Sequence, residues 1–149
     1  MRIIVQRVSN ANCKVDGNIT GEINNGYMIL VGFGLDDDIT IVEKMAEKVS
    51  KLRIFEDEDG KINRSIFDVN GKILSISQFT LYADCKKGNR PSFTNALGGS
   101  SAIELYKYFN ECLRKLNLEV EEGKFGADMK ISLLNDGPVT IILDSEELW

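Results

Sequence analysis

The chain has 149 residues, 43% of them hydrophobic and 28% charged, a balance typical of one globular domain with its own core. Its formal net charge is −5, from 18 basic and 23 acidic residues, which argues against long duplex nucleic acid as a partner and still allows a local basic patch. Because the sequence contains no histidine, it excludes a Ser-His-Asp triad and lacks the commonest metal ligand, so we expect neither a metal nor another cofactor.

The cysteines and the apolar runs indicate where the chain works. Cys13, Cys85 and Cys112 are widely spaced and odd in number, a pattern that favours a reducing compartment over a disulfide framework. No apolar run approaches the roughly 20 residues that a membrane span needs. The N-terminus does not have the composition of a signal peptide, because polar residues follow after only three apolar ones. We therefore expect a cytoplasmic protein with no membrane partner.

The first third of the chain has the alternation that is typical of β-strands. We predict strands at Arg2 to Val8, Ala11 to Val15 and Tyr27 to Phe33. Asp16-Gly17 and Asn25-Gly26 lie between these strands, and both dipeptides favour tight hairpin turns.

The apolar period then changes to that of a helix. Its spacing predicts a helix from about Ile41 to Leu52, with the capping box Thr40-x-x-Glu43 at its start. A second helix is predicted from about Ala102 to Leu116, with the capping box Ser101-x-x-Glu104.

The remaining predicted strands are Ile73 to Tyr82, between the helices, and Leu118 to Glu122, Lys130 to Leu134 and Val139 to Leu143 after them. The last two are joined by Asn135-Asp136-Gly137-Pro138. Strands dominate and two helices are available to cover them. The sequence therefore predicts a single α+β domain over residues 1–149, with a largely antiparallel β-sheet or barrel.

The strand predicted at Ile73 to Tyr82 changes character along its length. It begins apolar at successive positions, which predicts cover on both faces, and it becomes polar in its second half. There Ser77 and Phe79 would project to one side, and Gln78 and Thr80 to the other. Polar groups on a covered strand must be hydrogen-bonded or face a cavity. The alternative is a strand end that emerges into solvent.

Three other features allow both a structural and a functional interpretation. Gly137-Pro138 is either a hairpin turn or a less common backbone conformation, since glycine escapes the steric limits that proline imposes on its predecessor. Lys86, Lys87 and Arg90 form either a solvated basic loop or a grip for phosphate groups. The acidic run from Glu56 to Gly60 lacks the ligand spacing of a calcium loop, so we interpret it as a solvated turn.

Two hexapeptides carry a resemblance to a known family. They are Ser77-Gln78-Phe79-Thr80-Leu81-Tyr82 and Asn135-Asp136-Gly137-Pro138-Val139-Thr140. Supporting stretches are Gln6 to Val8, Leu52 to Asp57, Arg90 to Phe93, and Phe125 to Met129. In this order they resemble the D-aminoacyl-tRNA deacylase (D-tyrosyl-tRNA deacylase) family, from Met1 to about Ser145.

The resemblance implies a homodimer with two active sites at the subunit interface. The floor of each pocket would be formed by Ser77, Gln78, Phe79 and Thr80, and these residues would carry the catalysis. Among them, Thr80 is the residue that the resemblance offers as a candidate nucleophile. Gly137 and Pro138, joined by a cis peptide bond, would enter the pocket of the other subunit and exclude an L side chain. Arg7 would brace this Gly-Pro segment, and Phe125 and Met129 would line the site of the terminal adenosine.

The implied activity is hydrolysis of the ester between a D-amino acid, or glycine, and the 3′ end of tRNA, as chiral proofreading in translation. Rigid backbone groups around Cα would recognise chirality, and preorganised backbone donors would stabilise the oxyanion. The neighbouring 2′-OH of the substrate would assist. Two alternatives stay open: a non-enzymatic nucleic-acid-binding module on the same fold, and an editing domain that removes an L-amino acid in trans.

Overall fold

A computed structural model describes all 149 residues of the chain. Strands make up most of its regular structure, with two long helices. In chain order the elements are β1 Arg2–Val15, β2 Asn18–Ile23, β3 Gly26–Gly32, α1 Ile39–Ser50, β4 Phe55–Glu56, β5 Ile62–Arg64, β6 Lys72–Ser77, a 3₁₀ helix Phe79–Tyr82, α2 Gly99–Lys115, β7 Val120–Glu122, β8 Lys130–Asp144 and α3 Ser145–Leu148.

Six strands form the main sheet, in the order β2-β1-β3-β6-β7, with β8 paired to the other side of β1. Strand β1 is antiparallel to β2, β3 and β8, whereas β3 and β6, and β6 and β7, are parallel. The two ends of this path approach each other, since a Cβ placed on Gly21 of β2 would lie 2.8 Å from the carbonyl oxygen of Glu122 in β7. The predicted α+β fold with a largely antiparallel, barrel-like sheet is therefore confirmed.

Two apolar cores lie on opposite faces of the central strands. The larger core packs α1 and α2 against Ile3 and Ile29 of the sheet. The smaller core lies on the other face and includes Met28, Leu74 and Ile76. Strand β6 is thus covered on both faces, as its run of apolar residues predicted. Because both faces are covered, the end of β6, where the polar residues begin, is held in a fixed place.

Two strands are longer than predicted. The predicted pair Arg2 to Val8 and Ala11 to Val15 is the single strand β1, and the pair Lys130 to Leu134 and Val139 to Leu143 is the single strand β8. In each case the polar segment between the predicted strands stays in the sheet as an irregularity of the β1–β8 pairing. The extra residues of a bulge can be polar without ending the strand.

Strand β2 was not predicted, although the Asp16-Gly17 turn before it was, and it is present with both residues at positive φ. The hairpin predicted at Asn25-Gly26 is wrong, because β2 and β3 do not pair with each other. Both pair with β1 instead. Gly26 is required there because a Cβ would lie 1.8 Å from the carbonyl oxygen of Lys72.

The strand predicted at Ile73 to Tyr82 ends at Ser77, and its last residues form the 3₁₀ helix. The expected alternation of side chains from Ser77 to Thr80 is therefore wrong. The strand predicted from Leu118 begins at Val120.

Both long helices begin two or three residues earlier than predicted, and both predicted capping boxes are wrong. Asp38 caps α1 by accepting a hydrogen bond from the Ile41 amide at 2.9 Å. Gly98 caps α2 without a side-chain hydrogen bond. The acidic run is the turn between β4 and β5, with Gly60 at a φ of +73°. None of the helices combines the length and the apolar character that a membrane crossing requires.

Candidate active site

The end of β6 opens onto a cavity of about 310 Å³. Ile76 is buried, Ser77 and Gln78 are half-buried, and Phe79 is 54% exposed. All four line the cavity. The change from apolar to polar residues thus marks the point where the strand leaves the core and reaches a pocket.

The backbone turns sharply directly after Gln78. The Gln78 amide still continues the sheet, donating to the carbonyl of Val31 at 2.7 Å. Phe79 and Thr80 then open the 3₁₀ helix, and their N–H groups have no preceding carbonyl to donate to, as at any helix start. Neither amide donates a hydrogen bond elsewhere in the protein. Two adjacent backbone donors are therefore free directly after Gln78, which lines the cavity.

Thr80 is held by its neighbour Gln78. The side-chain amide of Gln78 donates a hydrogen bond to the Thr80 hydroxyl oxygen. Thr80 itself does not line the cavity. Its hydroxyl has no carboxylate partner, and the chain has no histidine that could activate it. The hydroxyl thus lacks the adjacent base that activates a serine or threonine nucleophile.

The opposite wall of the cavity is the segment between β7 and β8. Phe125 and Met129 lie in it, and the ring of Phe125 packs against Tyr106 of α2 at 5.8 Å between centroids. The Tyr106 hydroxyl donates to the carbonyl of Ser75 in β6 at 2.7 Å, and burial raises the pKa of Tyr106. This contact joins the wall to the strand that forms the floor.

Several lining residues carried no sequence signal of their own. They are apolar residues at the ends of elements, where a core position and a pocket position look alike in sequence. They are Val31, Phe33, Leu97, Ala102 and Ile131. These residues come from parts of the chain that are far apart in sequence, and only the complete fold brings them together around a cavity. The Leu97 amide, for example, donates a hydrogen bond to the carbonyl of Phe33 at 2.9 Å.

Gly137 and Pro138 lie elsewhere, in a bulge of β8. In the pairing with β1, Gln6 faces Thr140 and Val8 faces Asn135, so the single residue Arg7 stands opposite four residues of β8. The Gly137-Pro138 peptide bond is cis. Both residues are exposed, and neither lines the cavity of its own chain.

Arg7 anchors the backbone of this bulge. Its side chain is buried, with its Nε donating to the carbonyl of Asp136 at 2.9 Å and its Nη1 donating to the carbonyl of Ile54 at 2.8 Å. The carboxylate of Glu56 lies 3.5 Å from Nη2. A buried guanidinium needs such partners, since an unpaired buried charge is costly. Arg7 therefore fixes the backbone directly before Gly137.

The structure brings five of the nine predicted site residues together at one cavity, with Thr80 bonded to one of them. The five are Ser77, Gln78, Phe79, Phe125 and Met129. Arg7, Gly137 and Pro138 form a second group on the β1–β8 face.

Comparison with known proteins identifies the family of this arrangement. The family model for D-Tyr-tRNA(Tyr) deacylase matches residues 4–144. The chain belongs to the D-Tyr-tRNA(Tyr) deacylase family. The matched range includes the strand end, the β7–β8 segment and the bulge in β8, and so it spans both groups of site residues.

Proteins named as D-aminoacyl-tRNA deacylases are similar along the whole chain. The protein from Bacillus cytotoxicus is 54% identical over 146 residues, which are 98% of this chain and 100% of the relative. That from Lactobacillus acidophilus is 53% identical over 144 residues, 97% of this chain and 99% of the relative. That from Thermosipho africanus is 48% identical over 149 residues, 100% of both chains.

Two solved structures share the fold. One, described as a c-Myc DNA Unwinding Element Binding Protein, is 42% identical, superposes with a TM-score of 0.90, and is matched over 97% of this chain and 98% of its own. The other, described as a probable eukaryotic D-amino acid tRNA deacylase, is 16% identical with a TM-score of 0.80, matched over 95% of this chain and 97% of its own. At that identity the second likeness concerns the fold alone.

Proposed function

We propose that this member of the deacylase family hydrolyses the ester between a D-amino acid and the terminal adenosine of tRNA. The observation that carries the proposal is the pair of free amides of Phe79 and Thr80, next to a mostly apolar cavity that Phe79 lines. Ester cleavage passes through an oxyanion, and backbone N–H groups aimed at it lower its energy without a nucleophilic side chain. The reaction would take place in the cytoplasm, where translation uses aminoacylated tRNA. Its role would be chiral proofreading in translation.

The cavity suits the terminal adenosine of the substrate. Phe125 offers an aromatic face whose tilt is fixed by Tyr106, and Met129 adds a polarisable side chain beside it. Aromatic stacking is worth about 1–3 kcal/mol per base. With the base held there, the ester would lie at the Phe79 and Thr80 amides. The substrate's own 2′-OH would then be the group that assists bond cleavage.

Chiral selection would require a second copy of the chain. Within one chain, Gly137 and Pro138 do not line the cavity, so they could act as selector only in the cavity of a partner. Their exposure supports this arrangement, as do the exposed apolar side chains of Leu134 and Ile142 on the same strand. We therefore propose a homodimer in which each bulge reaches the other subunit's site, and which acts on glycyl-tRNA as well because glycine has no L side chain to exclude.

Turnover of matched tRNAs tests the proposal. D-Tyr-tRNA and L-Tyr-tRNA, prepared on the same transcript, should differ sharply: the D ester is hydrolysed and the L ester stays intact. Equal rates on the two esters would contradict chiral selection, and rapid loss of the L ester alone would favour an editing domain that acts in trans.

A non-enzymatic nucleic-acid-binding role is the second candidate. The observation that favours it is the 42% identity to the structure described as a DNA-element binding protein. Tight binding of a DNA element with no turnover of either aminoacyl-tRNA would support this role, while turnover of the D ester would exclude it as the sole function.

A further inference from the structure

The loop from Asp84 to Ser92, which we call the basic hairpin, has a defined base although its residues are mostly exposed. The Asp84 amide donates to the Ser92 carbonyl at 2.8 Å, and the Ser92 amide donates back at 2.9 Å. The carboxylate of Asp84 accepts a hydrogen bond from the Lys86 amide at 2.8 Å. Gly88 turns the chain with a φ of +77°. The hairpin thus presents its side chains from a closed frame.

Two cations of this hairpin have no partner in the protein. Arg90 differs in this respect from the five other arginines, each of which donates a side-chain hydrogen bond to a carbonyl, an amide oxygen or a carboxylate. Lys87 also forms no ion pair. Lys86 faces a larger cleft that it shares with the carboxylates of Asp36 and Asp84. Lys87 and Arg90 are therefore the cations available to an external anion.

The hairpin stands at the rim of the candidate active site. Phe93 follows it directly, and its ring packs edge-on against Phe79 at 5.0 Å between centroids. Phe79 in turn lines the cavity. In this inference, a strand of nucleic acid whose terminal nucleoside occupies the cavity leaves it over this rim. Its phosphates would then pass the unpaired cations.

We propose that the basic hairpin binds the phosphate groups of the last nucleotides before the terminal adenosine of tRNA, through Lys87 and Arg90. The inference rests on the proposed function for the identity of the RNA. A net charge of −5 makes most of the surface unfavourable for a polyanion, so free cations next to the candidate active site would favour the approach of the RNA there. Phosphate contacts of this kind position a substrate and carry no sequence information.

Binding of uncharged tRNA tests the proposal without turnover. The variant Lys87→Glu/Arg90→Glu should bind a tyrosine tRNA transcript about tenfold more weakly than wild type at moderate salt. Its plot of log affinity against log salt should be flatter by about 1–2, because two phosphate contacts are lost. The milder Lys87→Gln/Arg90→Gln variant should show the same direction, which separates lost contacts from repulsion.

The matched control is Lys48→Glu/Lys107→Glu, on exposed positions of α1 and α2 with no ion pair. It changes the net charge equally and should leave the salt dependence near that of wild type. A tRNA lacking its 3′ CCA end should bind wild type and hairpin variant alike. Equal losses in the hairpin and control variants, or an equal loss on the truncated tRNA, would overturn the proposal.

Turnover separates this inference from the proposed function. The hairpin variant should lose kcat/KM on D-Tyr-tRNA and keep it on D-tyrosyl-adenosine, an ester without phosphates. If wild type hydrolyses neither ester, the proposed function fails, and the binding comparison still judges the hairpin. Equal losses on both esters would show that the variant damages the cavity, against the proposal.

Discussion

Thr80 is the residue whose role distinguishes two chemistries at this site. Its hydroxyl is occupied by the hydrogen bond from Gln78, and no histidine exists in the chain to deprotonate it. Its backbone amide, by contrast, is free, as is that of Phe79. At this position the backbone offers what an oxyanion needs, whereas the side chain lacks what a nucleophile needs.

Thr80→Ala should therefore reduce single-turnover hydrolysis of D-Tyr-tRNA by less than about tenfold, since the amides remain. The lost hydrogen bond should cost about 0.5–1.5 kcal/mol of stability. Ser77→Ala serves as the matched hydroxyl deletion on the same floor. A loss of several orders of magnitude in the Thr80 variant alone, with unchanged circular dichroism, would favour a covalent intermediate. Trapping an acyl-enzyme would establish it.

The absence of histidine leads to a second prediction about residues. A chain without the commonest metal ligand should hydrolyse its substrate at the same rate after exhaustive chelation, because backbone donors and a substrate hydroxyl require no Lewis acid. The measurement is deacylation after treatment with a chelator, with a magnesium-prefolded tRNA as substrate. Loss of activity that zinc restores while the tRNA stays folded would contradict this expectation.

Elements differ in how well their local sequence predicts them. Helices α1 and α2 follow from the apolar period, because buried positions recur every three to four residues whatever the partner is. Their starts do not follow, since Asp38 and Gly98 cap them in place of the predicted residues. A cap depends on where the preceding loop enters the helix, which is set by tertiary contacts.

Strands β1 and β8 show the limit more clearly. Polar residues interrupt their alternation, so the local pattern predicts two short strands in place of each long one. Pairing with a long neighbour continues through such interruptions as bulges. Register between residues far apart in sequence cannot be obtained from local pattern. The β2–β1–β3 order cannot be obtained from it either, and because β1 pairs with both β2 and β3, the predicted Asn25-Gly26 hairpin is wrong.

Family motifs predict the candidate site more completely than physical pattern does. The polar end of β6 suggested a cavity, but nothing local placed Phe125 and Met129 opposite it. Those residues approach through Tyr106 and Ser75, a contact between α2 and β6. Spatial neighbours with such separations are joined only by the complete fold.

The bulge of β8 can be tested as an element through Gly137. Its φ of +126° is one that side chains rarely adopt, and a Cβ would lie 2.9 Å from Cγ2 of Val139 and 3.0 Å from Nη2 of Arg7. Gly137→Ala should destabilise the protein by roughly 1–3 kcal/mol. It should also lower kcat/KM on D-Tyr-tRNA, because the bulge must move.

Gly60→Ala is the control for this change. Gly60 also has a positive φ, +73°, and its Cβ position is open, so the substitution should cost stability and leave hydrolysis intact. Thermal unfolding measures the stability of both variants, and deacylation of D-Tyr-tRNA measures their hydrolysis. Full activity of the Gly137→Ala variant would show that the bulge is not part of the active site.

At the scale of the whole molecule, the outer face of β1 and β8 is the surface left without cover. Ile142 is 71% exposed and lies opposite Ile4 in the register of the two strands. The same strand carries the exposed Gly137 and Pro138, outside the cavity of its own chain. One chain therefore contains both halves of the proposed site without bringing them together, which a symmetric pair of chains could do.

Activity should accordingly depend on dimerisation through this face. In a two-fold interface Ile142 contributes twice, so Ile142→Asp should weaken the dimer by at least about 3 kcal/mol, roughly a hundredfold in Kd. At concentrations where the variant is monomeric by sedimentation, it should be folded and inactive on D-Tyr-tRNA. Ile62→Asp, at an equally apolar position that is 56% exposed on the β4–β5 hairpin, should leave assembly and turnover unchanged. Raising the concentration of the Ile142 variant should restore both together, because each site would be completed by the partner. A monomer with full activity would refute the shared site.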